Sequence, residues 1–357
     1  MKKFLALILA LAMLATVFAG CAAKPAESTA PESSAETTPD ASKAPAGKDP
    51  KDMKIILICD KIGTNPFLTQ MQTGLQNMKT KYGMSTSIVE CADASVWEDN
   101  IRAAVQEQND LIIVAGGQGA DPVNAVASEF PDDATYVLVD VETDSPNVKS
   151  ITFKEQEGAY LIGMIAGLVN KTDKFGAIHA NEGQSSYKWR WGYMEGVKSV
   201  RPNAEFMFNY TNSYTDAAKA KEFALQQAAA GCGFINAASA VADFGTFEAA
   251  LEKGFYTSGQ DEDRTSPDNK YIITTQIKDT AVVIEKIVTE FVEGKLTMEP
   301  ETYGVKENVI GALYITKDGK NPIQSEVLTD EIVAKVKEAA DKIAKGEIVL
   351  EVPMEGK

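Results

Sequence analysis

Short runs of β-branched and aliphatic residues alternate with amphipathic stretches from Lys54 onward, and this alternation constrains the fold more than any other feature. The first strand candidates are Ile55–Cys59, Ser85–Glu90, Leu111–Ala115 and Thr135–Val139. Helix candidates lie between them at Phe67–Lys81, Val96–Gln108 and Asp121–Glu129. Continuous apolar runs suit parallel strands that are covered on both faces. The alternation therefore predicts βαβ units with right-handed crossovers.

The same rhythm returns in the second half of the chain. Strand candidates there are Phe175–His179, Glu205–Asn209, Gly233–Asn236, Gly254–Ser258, Tyr271–Gln276 and the hairpin or terminal strand Asn308–Ile315. Helix candidates are Glu155–Asn170, Ser186–Val200, Thr215–Ala229, Asp243–Glu252, Lys278–Lys295 and Asp330–Lys345, the last with Thr329 as its N-cap. We expect two doubly wound α/β lobes with parallel sheets, joined by a hinge of several strands. Lobe 1 is expected to span residues 53–152 and about 258–305, and lobe 2 residues 153–257 and about 306–350.

Three acidic residues follow predicted strands directly, namely Asp60, Asp140 and Asp261. Ligands of doubly wound sheets bind outside the carboxyl ends of the strands, so these side chains should face a cleft between the lobes. A hydrogen bond from a ligand to a charged acceptor contributes about 1.5–3 kcal/mol. Each Asp could instead cap a loop. However, an acidic residue at each of three strand ends is more than loop composition alone would suggest.

Aromatic residues at helix starts are candidates for stacking on a planar ligand. Phe67 begins a helix after Asn65, and Phe244 follows a predicted strand. Trp189 and Trp191 are two residues apart and cannot share one helical face, so one should pack in the core and the other line the cleft. We take Trp191 as the residue in the cleft. Core packing is the alternative for each of these aromatic residues.

The beginning of the chain has the pattern of an export signal. Lys2 and Lys3 precede an apolar run over Phe4–Val17, and Phe18-Ala19-Gly20-Cys21 resembles a bacterial lipobox. We expect residues 1–20 to be a lipoprotein signal peptide and Cys21 to carry the lipid. The alternative is an ordinary signal peptide followed by a chance cysteine.

Residues 22–52 contain no aromatic residue and five of the fourteen prolines, which is typical of a disordered tether. The formal net charge of −16 argues against nucleic acid as a partner and against recruitment to anionic lipid by charge. We therefore expect membrane attachment through the lipid only. One His and four Cys leave little for a zinc site or a His-based triad, so neither a metal nor a cofactor is expected.

Four stretches of this sequence resemble the basic membrane protein family, the purine nucleoside receptor-like lipoproteins that serve ABC transporters as substrate-binding proteins. The stretches are Phe153–Gly176 (FKEQEGAYLIGMIAGLVNKTDKFG), Gly192–Val197, Gly259–Asp263 and Thr275–Lys278. The resemblance runs from about Lys54 to Lys345. It implies a type I periplasmic-binding-protein-like fold, a nucleoside ligand and a non-enzymatic role. It further implies a monomer, lipid-anchored outside a bacterial cell membrane and working with an ABC permease and its ATPase.

The resemblance also assigns roles to residues that match the family's motifs. These are Asp60, Phe67, Asp140, Asp261 and Lys278. It implies that the base stacks on Phe67, with Phe244 or a Trp opposite, and that Asp261 and Lys278 hold the ribose hydroxyls. Asp60 and Asp140 would read polar edges of the ligand. The loop Asp60–Phe67 is shorter than the family's usual one, and the next residue is Leu68 instead of a polar residue.

Three alternatives therefore stay open beside a nucleoside receptor. The first is a sugar-binding or other metabolite-binding protein of the same fold, favoured by the altered first loop. The second is a carboxylate-based nucleoside hydrolase, and the third is a sensor lipoprotein that signals to a partner.

Overall fold

The computed structural model describes residues 47–324 and 326–353, without the side chains of Gln184 and Ser185. The predicted signal peptide, Cys21 and most of the predicted tether lie outside the described residues. The last residues assigned to the tether are packed against the fold, contrary to expectation. Pro50–Asp52 form a short 3₁₀ helix, and Lys48 Nζ lies 2.7 and 2.6 Å from the two carboxylate oxygens of Asp110. This ion pair and a cap from Asp49 order the chain before the first strand.

Twelve strands and nine α-helices make up the described part of the chain. The strands are β1 Lys54–Cys59, β2 Ser85–Glu90, β3 Leu111–Ala115, β4 Thr135–Val139, β5 Val148–Phe153, β6 Lys174–His179, β7 Glu205–Tyr210, β8 Phe234–Ala238, β9 Tyr256–Asp261, β10 Ile272–Lys278, β11 Glu301–Tyr303 and β12 Ile310–Ala312. The helices are α1 Pro66–Tyr82, α2 Trp97–Gln106, α3 Ala120–Glu129, α4 Glu155–Val169, α5 Gln184–Val200, α6 Ala217–Ala229, α7 Asp243–Lys253, α8 Thr280–Val292 and α9 Asp330–Ala344. Within these residues, β5 and β11 are the strands that the sequence analysis missed.

The strands form two six-stranded sheets, as the alternation predicted. The first has the order β11-β5-β4-β3-β1-β2 and the second β12-β10-β9-β8-β6-β7. All neighbouring strands pair in parallel except β10 and β12, which are antiparallel. Central strands such as β3 and β8 are buried along their whole length, because helices cover both faces of each sheet. The prediction of two doubly wound lobes is confirmed.

The chain crosses between the lobes after β5, after β10 and between β11 and β12. The expected boundary at residue 258 is wrong, because β9 and β10 pair within the second sheet and the chain returns to lobe 1 only at α8. Helix α8 packs closely on α1 of lobe 1, where a Cβ at Gly74 would stand 2.5 Å from the Ala281 carbonyl oxygen. Sequence periodicity predicts most of the strands but not the sheet that each one joins.

The backbones of α4 and α5 approach each other closely. A Cβ at Gly196 would stand 2.0 Å from the Tyr160 carbonyl oxygen, and one at Gly163 would stand 2.2 Å from the Tyr193 carbonyl oxygen. Only glycine lets the two backbones approach this far. Among the described helices, none is both long enough and apolar enough to cross a bilayer.

Candidate functional site

A cavity of about 440 Å³ lies between the lobes at the carboxyl ends of the strands. Lobe 1 contributes residues after β1, β3 and β4, and lobe 2 contributes residues after β6 and β8 and the last residues of β9 and β10. The lining consists of Asp60, Asn65, Phe67, Leu68, Trp97, Ala115, Gly116, Gly117, Gln118, Asp140, Asn181, Trp189, Tyr214, Ala240, Gln260, Asp261 and Lys278. The volume falls in the range of about 300–1,000 Å³ that is usual for small-molecule sites.

Six of the eight ligand-binding residues predicted from the sequence line this cavity. They are Asp60, Asn65, Phe67, Asp140, Asp261 and Lys278. These residues lie at strand ends or helix starts, and parallel sheets place such positions at the same edge. The two sheets therefore bring together residues that lie more than 200 positions apart in the chain.

The other two predicted residues lie elsewhere. Phe244 is 47% exposed and packs against Phe247 and the Arg264 guanidinium, outside the cavity lining. Trp191 is half-buried, and Trp189 lines the cavity instead. Residue 189 shares a helical face with Gly192 and Gly196, which pack against α4, whereas Trp191 points away from that face.

Lys278 is the centre of a buried charge cluster that connects the lobes. Its Nζ donates to Asp140 Oδ1 of lobe 1 at 2.5 Å and to Glu155 Oε1 of lobe 2 at 3.0 Å. The second Glu155 oxygen accepts from Lys188 at 3.4 Å. Burial by itself lowers the pKa of the Lys278 ammonium, but the charges of Asp140 and Glu155 outweigh it and the pKa is raised. Lys278 therefore stays charged and bridges the cleft.

Asp140 and Asp261 both have strained backbone, and the carboxyl group is buried in Asp261 and partly exposed in Asp140. Their φ angles are +80° and +68°, and that of Ala240 in the same lining is +58°. Such conformations cost non-glycine residues about 1–3 kcal/mol each and cluster at functional sites. Burial raises the pKa of the Asp140 carboxyl against the opposing charge of Lys278. Burial also raises the pKa of Asp261 to about 7.

Asp261 is 2% exposed, and its Oδ1 accepts no hydrogen bond from the described residues. A buried acceptor without a donor is costly, and a ligand hydroxyl or N–H would satisfy it. The exposed Asp60 at the lobe 1 rim has one oxygen, Oδ1, that accepts from the Lys61 amide at 2.7 Å.

Phe67 is held in place by capping and by a contact from the first residue of α8, which packs on α1 within lobe 1. Asn65 Oδ1 accepts from the Phe67 amide at 3.1 Å as the N-cap of α1, and Thr280 Oγ1 donates to the Phe67 carbonyl at 2.7 Å. The ring centroid lies 5.0 Å from Lys278 Nζ. An aromatic face fixed beside a cation and carboxylates suits a planar, polar ligand.

Several lining residues were not assigned to the site from sequence. Asn181 Nδ2 donates to the hydroxyl of the half-exposed Tyr214 at 2.9 Å, and Gln260 Oε1 accepts from the Ala240 amide at 3.0 Å. Asn181 follows a predicted strand, which is a signal that could have found it. Tyr214 lies in an irregular loop, where periodicity gives no signal.

Comparison with known proteins places this geometry in a family. A model of the Bmp family, described as "ABC transporter substrate-binding protein PnrA-like", matches residues 54–352. The "ABC transporter nucleoside-binding protein BmpA" of Lactococcus lactis is 26% identical over 94% of this chain and 100% of its own length. "Basic membrane protein A" of Borreliella burgdorferi is 27% identical over 83% of this chain and 87% of its own length.

Solved structures share the fold. An ABC transporter solute-binding protein from Aeropyrum pernix superposes with a TM-score of 0.73 at 22% identity, over 85% of this chain and 94% of its own. One from Conexibacter woesei gives a TM-score of 0.67 at 22% identity, over 84% of this chain and 99% of its own. With the family match covering nearly all described residues and the polar cleft between two lobes, the chain belongs to the Bmp family of PnrA-like ABC transporter substrate-binding proteins.

Proposed function

We propose that this protein captures a nucleoside in the cavity between its lobes and releases it unchanged to an ABC permease. The observation that carries the proposal is the lining of the cavity, which combines an aromatic side chain from each lobe with carboxylates at strand ends. A nucleoside offers the matching chemistry, a flat base and a vicinal diol. The printed name of the Lactococcus lactis relative supports this choice of ligand.

As a member of its family, the chain binds a small solute outside the cytoplasm and works with an ABC permease. Lipid anchoring through Cys21 and a monomeric state belong to the proposal. Closure of the lobes is a shift of population, because a ligand that contacts both lobes favours the closed state.

In the proposed complex, the base stacks on Phe67, and Trp189 takes the role that the sequence analysis gave to Phe244 or Trp191. Both Phe67 and Trp189 line the cavity, one from each lobe. Asp261 and Lys278 hold the ribose hydroxyls, and the buried Asp261 Oδ1 gains a donor. Asp60, Asp140 and Asn65 contact polar edges of the ligand.

A thermal-shift screen of nucleosides, nucleobases and sugars tests the ligand class. Binding to the folded state raises the melting temperature by mass action, so at least one nucleoside should raise it. A shift with a sugar and with no nucleoside would replace the proposal by the sugar-binding alternative.

Chromatography after incubation with inosine or uridine tests whether the protein acts on its ligand. We expect the nucleoside to be recovered intact. Release of free base at a rate that depends on protein concentration would establish the hydrolase instead.

A further inference from the structure

The charges that line the cavity are mostly negative. Asp60, Asp140 and Asp261 contribute three carboxyl groups, of which Asp261 is only partly ionised near neutral pH because burial raises its pKa to about 7, and Lys278 is the one cation among the described lining residues. An anionic ligand would depend on Lys278 for its counter-charge.

The Lys278 ammonium is already committed to protein groups. It donates to Asp140 Oδ1 at 2.5 Å and to Glu155 Oε1 at 3.0 Å. It also lies 4.3 Å from the ring centroid of Phe153 and 5.0 Å from that of Phe67. Lys188 is the second cation of this cluster and pairs with Glu155, so two ammonium groups face two carboxylates and no net positive charge is left for a ligand.

Glu155 supplies the second carboxylate although it does not line the cavity. It is 2% exposed at the first position of α4. Its other oxygen accepts from Lys188, which also donates to the Phe153 carbonyl at 3.0 Å. Glu155 therefore acts on a ligand only through Lys278.

A phosphate monoester carries about −1.5 to −2 charges near neutral pH. Inside this cavity it would lie among carboxylates without a free cation, and a buried charge without a partner is strongly disfavoured. A neutral nucleoside meets no such penalty, and its hydroxyls can donate to the same carboxylates.

We propose that this cleft rejects phosphorylated ligands and that Glu155 sets the selectivity by neutralising Lys278. The inference rests on the proposed nucleoside function and adds to it the discrimination between a nucleoside and its nucleotide. Glu155 is a specificity-determining residue that positions and neutralises Lys278.

Isothermal titration calorimetry with adenosine, guanosine, inosine, cytidine, uridine and their 5′-monophosphates tests the inference on the unaltered protein. For every nucleoside that binds, the monophosphate should bind about 100-fold more weakly or worse. A monophosphate that binds within about threefold of its nucleoside would overturn the inference and leave the nucleoside function standing. If neither series binds, the nucleoside function fails and the inference fails with it.

The Glu155→Gln variant tests the role of Glu155. It leaves Lys278 one carboxylate partner, so the ratio of monophosphate Kd to nucleoside Kd should fall about tenfold. Glu157→Gln is the matched control, because Glu157 lies in the same helix but accepts from the Val305 amide at 2.8 Å and pairs with Lys154. It should leave the ratio unchanged.

A purely structural role of Glu155 would weaken both ligand series in parallel, and that result would remove Glu155 from the proposal. Asp140→Asn removes the other carboxylate partner of Lys278 and should lower the same ratio. It keeps the charge-balance inference falsifiable if Glu155→Gln does not fold.

Discussion

Replacing Lys278 by Met should strongly destabilise the fold, because it removes the buried cation shared by the buried Glu155 carboxylate and the partly exposed Asp140 carboxylate. Lys278 is 4% exposed, and its ammonium makes short contacts to both Asp140 and Glu155. Removing one partner of a buried ion pair costs about 3–5 kcal/mol. We expect a loss of that size at pH 7 in the free energy of unfolding measured by urea denaturation.

The loss should shrink as the pH falls. Burial already raises the pKa of Asp140 against the opposing charge of Lys278, so removing that charge raises the pKa further. The folded variant then takes up a proton at a higher pH than an unfolded Asp does. Proton uptake by the folded state relieves the repulsion, so the difference in stability between the variant and the wild type should shrink as the pH falls from neutral.

Lys317→Met is the matched control for this measurement. Lys317 pairs with Asp279 at 3.1 Å, and both side chains are about a quarter exposed. Such pairs contribute at most about 1 kcal/mol. A loss below about 1 kcal/mol for Lys278→Met, or one that does not change with pH, would refute the view of Lys278 as the buried bridge between the lobes.

Three further substitutions test separate parts of the structure. Asp261 has its pKa raised to about 7, so the folded state holds a proton that the unfolded chain loses near pH 4, and stability falls as the pH rises between these values. Asp261→Asn should remove this pH dependence, which amounts to at most about 1.4 kcal/mol per pH unit in the free energy of unfolding. Urea denaturation between pH 5 and 8 measures it. Gly196→Ala should cost about 3 kcal/mol or more, because the new Cβ would stand 2.0 Å from the Tyr160 carbonyl oxygen. Thr329→Ala removes the α9 N-cap, which accepts from the Ile332 amide, and should lower stability by about 1 kcal/mol.

Each of these substitutions has its own control and its own contradicting result. Asp60→Asn removes an exposed carboxyl, so the free energy of unfolding should depend on pH as it does in the wild type. If Asp261→Asn also kept the wild-type pH dependence, a proton held by Asp261 in the folded state would be ruled out. Lys198→Ala alters an exposed position of α5, and Gly196→Ala should be far more destabilising than it. Thr329→Ser keeps the capping oxygen, so a loss equal to that of Thr329→Ala would argue against capping.

Ten of the twelve described strands and most of the cavity were predictable from the sequence, because both depend on the order of elements along the chain. β2, β3 and β4 have the predicted bounds, and the acidic residues after β1 and β4 reach the cleft. Parallel sheets place all such ends at one edge whatever the details of packing. The three-residue β11 carries too short a pattern to be recognised as a strand.

Side-chain direction and partners distant in the chain were not predictable. Trp189 and Trp191 point in directions about 200° apart around α5. Which of them lines the cavity depends on which face of α5 carries the glycines that pack on α4. That glycine pattern was visible in the sequence and could have decided the choice. The sequence gives no sign that Glu155 pairs with Lys278. An acidic residue is common at a helix start because it interacts favourably with the helix dipole, so Glu155 needed no distant partner to explain it.

Titration of nucleosides into ligand-free protein by calorimetry, with wild type and Asp261→Ala in parallel, tests the central claim most directly. At pH 8, above the Asp261 pKa of about 7, we expect at least one nucleoside to bind the wild type and Asp261→Ala to weaken this binding by about 1.5–3 kcal/mol, since a charged acceptor is lost. The variant should stay folded, because the buried Asp261 Oδ1 has no hydrogen-bond donor among the described residues. Absence of nucleoside binding to the wild type, or equal affinity in the variant, would contradict the account.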